Sequence, residues 1–280
     1  VKIRGFRYHY VDEGNGDPII MVHGNPTWSF YYRNLIQALR FGYRTLAPDH
    51  LGCGLSDKPD ESEYSFTLEQ RVEDLEEFVS QLNLKKITLV LHDWGGMIGM
   101  AFAVRHPHLI ERIIVSNTGA FRMPTTKKFP WQLSLARTKS VGRYLILNHN
   151  AFSRAASKLC VARRELPQPI KEAYYLPYNN KRNRLAVYNF VKDIPLTERD
   201  PSYSIVAHTE KNLALFNKTP MLVLWGAKDF VFDDHFLNQW KSHFPHAVVH
   251  RFADVGHYIL EDAWQEVVPI VKRFLANNPI

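Results

Sequence analysis

Asp93 stands where a carboxylate can act as a nucleophile. Residues 87–91 are a short run that is apolar except for Thr88, followed at once by His92-Asp93-Trp94-Gly95-Gly96 and then by the helical pattern of residues 97–106. A buried strand that turns straight into a helix pushes the residue at the turn out over the end of a sheet, towards the helix N-terminus. An aspartate at such a turn also serves as a plain helix cap, and that simpler role stays open. Gly95 and Gly96 argue for more, because two glycines weaken a helix start unless backbone must pass very close. A carboxylate nucleophile forms an ester and calls for a partner able to activate water against it. His257, in Asp254-Val255-Gly256-His257-Tyr258 immediately after the strand expected over 248–252, is the candidate. A histidine in a glycine-flanked loop is ordinarily a surface residue, but ligands of open α/β sheets sit beyond the carboxyl ends of strands. Asp229 follows the run 221–225 through Gly226-Ala227-Lys228, where it can hold the tautomer of the imidazole and stabilise its charged form. It can equally be a turn cap beside Asp233 and Asp234. The order nucleophile, acid, histidine favours Asp229 over Asn117, which occupies an earlier strand end.

A second group could bind an anion. His23-Gly24-Asn25-Pro26 closes the apolar run 19–22. Gly24 and Asn25 are ordinary turn formers, yet the backbone N–H groups of Asn25 and Trp94 together would make an oxyanion nest. The Asn25 amide and the Trp94 indole would add two neutral donors for a departing anion.

The elements that must position these residues are legible from pattern. Short apolar strands at 19–22, 44–47, 87–91, 113–116, 221–225 and 248–252 alternate with helical spacing at 30–39, 68–82, 97–106, 236–244 and 264–275. This alternation predicts an α/β fold with a mostly parallel sheet covered by helices on both faces. Between residues 116 and 221 the strand rhythm disappears. Helical patterns at 131–147 and 185–191 and a scatter of prolines replace it, which reads as a helical lid inserted after a strand. The expected division is core over 1–118, cap over 119–215 and core again over 216–280.

Composition narrows the classes. The chain has 280 residues, 45% hydrophobic, enough for a sizeable core. Two cysteines form neither a disulfide framework nor a zinc cluster, and the histidines lack metal-site spacing, so neither metal nor organic cofactor is expected. A net charge of +7 is too weak to announce nucleic-acid binding without a motif. The charge is uneven: residues 121–205 hold 16 Lys or Arg against 5 Asp or Glu, leaving the rest of the chain at −4. No stretch approaches the ~20 apolar residues of a membrane span, and the first residues lack the apolar run of a signal peptide. The expectation is a cytoplasmic protein whose basic cap offers a face to an anionic membrane surface or to other enzymes of its pathway. A solvated charged face is the plainer alternative.

The segments His23-Gly24-Asn25-Pro26-Thr27-Trp28, Pro48-Asp49-His50-Leu51-Gly52-Cys53-Gly54, His92-Asp93-Trp94-Gly95-Gly96, Gly226-Ala227-Lys228-Asp229 and Gly256-His257 resemble the haloalkane dehalogenase-like branch of the α/β-hydrolase superfamily. The resemblance covers nearly the whole chain. It implies Asp93 as nucleophile, His257 as base, Asp229 as acid, Asn25 and Trp94 as leaving-anion donors, and no cofactor. One departure is Leu91, where the general motif has a glycine two residues before the nucleophile. Within that branch, Asn117-Thr118-Gly119-Ala120-Phe121, Phe129-Pro130-Trp131, Asn150-Ala151-Phe152-Ser153-Arg154, Asp193-Ile194-Pro195-Leu196 and Asp229-Phe230-Val231-Phe232 resemble the β-lactone decarboxylases of bacterial long-chain olefin biosynthesis. This implies conversion of a cis-3,4-dialkyl β-lactone, a small hydrophobic substrate, to a cis-alkene and carbon dioxide. Haloalkane dehalogenation is the alternative on the same core. An epoxide hydrolase would need cap tyrosines, from Tyr174, Tyr175, Tyr178 and Tyr188, aimed at the substrate. A hydrolase-fold receptor would show a broken triad.

Overall fold

The computed structural model describes residues 1–280. The first strands, β1 (Lys2–Ile3) and β2 (Phe6–Arg7), pair with each other. β3 (Tyr10–Glu13), β4 (Pro18–Val22), β5 (Arg44–Pro48), β6 (Ile87–Asp93), β7 (Ile110–Thr118), β8 (Met221–Gly226) and β9 (Val248–Phe252) form one sheet. Its order is β3-β5-β4-β6-β7-β8-β9, parallel throughout except for β3, which runs antiparallel to β5 at the edge. The central strands are apolar on both faces because each face meets helices. Ile20, Leu89, Ile113 and Val223 point towards α2 (Leu68–Gln81) and α3 (Trp94–Arg105). The alternate residues Ile19, Val90, Ile114 and Leu222 point the other way, to α1 (Arg33–Leu39) and to α12 (Trp264–Asn277).

Between β7 and β8 the chain makes six helices and no strand: α4 (Trp131–Ala136), α5 (Val141–His149), α6 (Ala151–Leu159), α7 (Gln168–Tyr175), α8 (Leu185–Lys192) and α9 (Tyr203–Asn212). α10 (Asp234–His243) and α11 (Ile259–Asp262) lie after β8 and β9. The single helical pattern over 131–147 is in fact broken at residues 137–140. There the Thr138 hydroxyl accepts the Gly142 N–H at 2.7 Å, and a Cβ on Gly142 would lie 2.2 Å from the Ala136 carbonyl oxygen, so the chain can turn back on itself only with glycine.

These helices are short and have only a small core of their own, with Ile146, Tyr178 and Val187 at its centre. They depend on docking. Asp193, at the end of α8, accepts the Leu68 N–H at 2.8 Å and so caps α2 from outside. Arg143 and Asn189 both reach Glu61, which the Arg143 guanidinium, against the cost of partial burial, holds down at about 2. α9 packs against α3 instead and contributes nothing to the main cavity. No helix is long and apolar enough to cross a membrane.

Candidate active site

β6 ends on Asp93 with φ 53° and ψ −127°, and α3 begins at the next residue. For a residue with a side chain this is a strained backbone, tolerated at a turn that the surroundings over-determine. The neighbours show how. A Cβ on Gly95 would lie 1.9 Å from the Val22 carbonyl oxygen, one on Gly96 1.9 Å from Thr118 Oγ1, and one on Gly24 2.0 Å from Asp93 Oδ1. The three glycines are therefore there for close approach. Leu91 fills space at the third glycine of α3, Gly99, where a Cβ would lie 2.3 Å from its Cδ2. Gly99 thus leaves the room that a leucine at position 91 requires.

The Asp93 side chain does not cap α3. Its Oδ1 accepts the Asn25 backbone N–H at 2.6 Å, and its Oδ2 lies 3.5 Å from His257 Nε2. The His257 Nδ1–H donates to Asp229 Oδ2 at 2.6 Å. Asp229 is fixed in turn by the Val231 N–H on Oδ1 at 2.7 Å and by Asn117 Nδ2 on Oδ2 at 3.0 Å. The three strand ends thus bring the Asp93 carboxylate, the His257 imidazole and the Asp229 carboxylate together in one buried line.

Electrostatics couple them. Burial alone lowers a histidine, but the charge and hydrogen bond of Asp229, with those of Asp93, lift His257 to about 10. Burial likewise opposes ionisation of Asp93, and the hydrogen bond and charge of His257 outweigh it, holding Asp93 below the ordinary carboxylate range. At neutral pH the resting site is an imidazolium between two carboxylates. Neutralising Asp93 would remove one of those charges and lower the affinity of His257 for its proton.

Two positioning groups are not legible in the pattern of the chain. His92 Nε2–H donates to the His257 carbonyl oxygen at 2.9 Å, and its ring stacks on Tyr31 at 4.4 Å. Burial and the neighbouring imidazolium push His92 down to about 3, so it is a neutral strut. Asn117, weighed above as an alternative acid position, instead ties the ends of β7 and β8 together. Its Oδ1 accepts the Gly226 N–H at 2.8 Å while its amide donates to Asp229. Its place at a neighbouring strand end was the available signal.

The donors differ in readiness. Asn25 Nδ2 gives one hydrogen to the Val187 carbonyl oxygen of α8 at 3.1 Å, leaving one free, so a cap helix orients this amide. The Trp94 ring packs on Phe190 of the same helix at 5.2 Å and lines the cavity. That cavity has a volume of about 330 Å³, and 24 of its 33 lining residues are hydrophobic. Asn25, Asp93, Trp94 and His257 all line it, together with Phe129, Leu133 and Phe152 of the inserted segment. No tyrosine lines it: Tyr174 donates to Glu261 and Tyr178 to the Thr27 carbonyl oxygen. The feature an epoxide hydrolase would need is missing. A carboxylate aimed into an apolar chamber, with neutral donors beside it, can displace an anionic leaving group from an alkyl carbon.

Residues 17–263 match the model of the alpha/beta hydrolase fold. The chain is 51% identical to a cis-3-alkyl-4-alkyloxetan-2-one decarboxylase of Shewanella oneidensis, over 98% of this chain and 86% of that one. It is 40% identical to a protein of the same name from Xanthomonas campestris pv. campestris, over 99% and 94%. With haloalkane dehalogenase 2 of Mycobacterium tuberculosis it shares 33% identity over 96% and 91%. The chain belongs to the α/β-hydrolase fold family, in the branch that holds the haloalkane dehalogenases and the cis-3-alkyl-4-alkyloxetan-2-one decarboxylases.

Proposed function

We propose that this protein is a cis-3-alkyl-4-alkyloxetan-2-one decarboxylase in which Asp93 is the nucleophile. His257 is its imidazole partner, Asp229 the acid that orients the imidazole, and Asn25 and Trp94 the donors for the departing carboxylate. Residues 1–118 and 216–280 serve as the core, and residues 119–215 as the cap that shapes the chamber. The observation that carries the substrate class is where the resembling segments fall: Phe129-Pro130-Trp131, Ala151-Phe152 and Ile194-Pro195-Leu196 of the cap and Phe230-Val231-Phe232 of the core all line the cavity. Segments that merely held the cap together would have no reason to do so.

In this reading Asp93 Oδ2 attacks the ring carbon that bears the alkyl oxygen. The carbon–oxygen bond breaks with inversion, and the freed carboxylate moves to Asn25 and Trp94. The bond to the carboxylate then supplies the electrons of the alkene as carbon dioxide leaves, and Asp93 is expelled. Inversion followed by anti elimination amounts to syn loss, so a cis-lactone gives a cis-alkene. Charge balances throughout, and no water is consumed. Attack at the carbonyl to give a mixed anhydride is the rival route.

A synthetic cis-β-lactone and a bromoalkane, incubated side by side and followed by gas chromatography, test the reading. Alkene from the lactone is expected. Efficient halide release with no alkene from lactones of several chain lengths would transfer the protein to the dehalogenase reading, for which the shared core and the mycobacterial relative argue. Replacing Trp94 by Phe keeps most of the apolar volume against Phe190 and removes one donor. The turnover number is expected to fall about 10²- to 10³-fold, the scale of one oxyanion donor, and steady-state kinetics on the lactone check it.

A further inference from the structure

The cavity opens through the basic part of the inserted helices, and the residues at that opening are of two kinds. Trp131 and Leu135 on α4 and Leu159 on α6 line the cavity and are also exposed, by 71%, 42% and 54%. Val141 and Tyr144 on α5 add exposures of 49% and 59%. A wall of a chamber that is also bare of protein on its outer side is a rim. Large apolar side chains grouped at a rim mark a contact surface more often than an accident of packing.

The charge around this rim is one-sided. Residues 121–164 contain ten Lys or Arg and no Asp or Glu. Carboxylates from elsewhere in the chain neutralise half of the ten: Glu210 pairs with Arg122, Asp233 with Lys127, Asp200 with Arg137, Glu61 with Arg143, and Asp254 and Glu266 with Arg163. Lys128, Lys139, Arg154, Lys158 and Arg164 are exposed and have no carboxylate partner. They sit beside the rim in sequence. Lys128 precedes Trp131 by three residues, and Arg154 and Lys158 run along α6 next to the cavity-lining Ala155 and Leu159.

Resting on the proposed activity, whose dialkyl substrate partitions into lipid, we propose that this face docks on an anionic bilayer. Trp131, Leu135 and Leu159 enter the headgroup layer, and the five free cations lie at the level of the phosphates. Substrate then passes from lipid into the chamber without crossing water. Modest apolar insertion and a polybasic rim are each weak alone, and together they give stable but reversible attachment. An acidic protein surface would explain the cations but not a bare tryptophan at the opening of an alkyl-binding chamber.

Sedimentation of the purified protein with vesicles tests this without any chemistry. Vesicles of phosphatidylcholine with about one third phosphatidylglycerol are expected to carry the protein down, and vesicles of pure phosphatidylcholine to leave it in solution. Salt of about 0.5 M should release it, because screening shortens the reach of the exposed charges. The triple variant Lys128→Glu, Lys139→Glu, Lys158→Glu should lose vesicle binding by at least about tenfold, yet keep its turnover of a short, water-soluble cis-β-lactone. Trp131→Ser with Leu135→Ser should also weaken binding, which separates insertion from charge attraction. Absence of binding to the anionic vesicles, or equal binding to both compositions, overturns the proposal. Binding as expected by a protein that makes no alkene would leave the docking face standing and remove the activity instead.

Discussion

Asp93→Asn is expected to give a folded protein whose turnover of β-lactone falls at least about 10³-fold. Asparagine is nearly the same shape and tolerates positive φ better than most residues, so the strained turn at φ 53° survives. Its carbonyl oxygen can still accept the Asn25 N–H that Asp93 Oδ1 accepts now. Only the charge is lost, and with it the nucleophile. The simple cap reading predicts something quite different, a stability loss of about 0.5 to 2 kcal/mol with activity retained. The side chain makes no capping hydrogen bond, so the melting temperature should scarcely drop through that route. Single-turnover kinetics with the lactone measure the first quantity and thermal unfolding the second. Residual activity above about a tenth of the parent rate would remove Asp93 from the mechanism. The substitution has a second readout at His257. Loss of the Asp93 charge and hydrogen bond should lower the titration of the imidazole from about 10. The shift is measurable by NMR on the histidine ring.

The sheet and the nucleophile turn were readable from the sequence because their physics is local. A strand buried on both faces has few polar positions along its middle, so the apolar stretches of β4, β6, β7 and β8 stand out against their surroundings. Gly95 and Gly96 betray close approach because two glycines at a helix start need an explanation, whereas Gly24 reads as an ordinary turn former and only the structure shows it against Asp93. Asp229 and His257 were found through their position beyond strand ends, and the structure brings them to 2.6 Å. Other features are invisible to this kind of reading because their partners are distant in sequence. Nothing near Asn25 announces that its amide is held by Val187, 162 residues away, or that His92 braces the carbonyl of a loop residue 165 residues on. A buried histidine pair tells the same story. His23 Nδ1–H holds the Gly24 carbonyl oxygen at 2.7 Å and its Nε2 accepts the His50 N–H at 3.1 Å. The loop that presents Asn25 is thus anchored from a different strand end.

The inserted helices show a different limit. Their amphipathic spacing was detectable over 131–147 and 185–191, but α6, α7 and α9 were not separated from the surrounding polar sequence. Short helices owe their formation to the surface they dock on more than to their own propensity. α8 illustrates the consequence for function. It ends on Asp193, which caps α2, and it presents Val187 to Asn25 and Phe190 to Trp94. One docked helix therefore aligns both proposed anion donors, and damage to the docking should appear as lost donor geometry before it appears as unfolding.

The role of His257 separates the two activities of this branch, and His257→Gln is expected to give opposite results with their two substrates. With a bromoalkane, Asp93 should still displace bromide, and the alkyl ester should then persist. Its hydrolysis needs a base for water, and the glutamine cannot take the proton. Mass spectrometry should find one alkyl group per protein, on the peptide that contains Asp93, after a single stoichiometric release of bromide. With a cis-β-lactone the same ester forms, but a free carboxylate now sits on the neighbouring carbon. Loss of carbon dioxide expels Asp93 without water, so turnover should continue, slowed by the loss of the imidazolium that faces both carboxylates. The pH dependence follows from the same charges. Asp93 is ionised down to pH values below the ordinary carboxylate range, and His257 stays protonated up to about 10. In the parent enzyme kcat/KM for the lactone should therefore be level across neutrality and change only as pH falls through the Asp93 titration or rises through that of His257. The variant should lose the alkaline limb, and its acid limb should move to higher pH, because the His257 charge and hydrogen bond that hold Asp93 down are gone while its burial remains. Water competes for the ester only when a base is present. The parent should thus leak a little β-hydroxy acid, carrying heavy oxygen from labelled water after several turnovers through Asp93, and His257→Gln should leak none. If the variant instead accumulates a covalent lactone adduct and makes no alkene, the alkyl-ester route without water is wrong. Asp93 would remain the nucleophile, and attack at the lactone carbonyl, with His257 as an obligatory proton carrier, would become the route to examine.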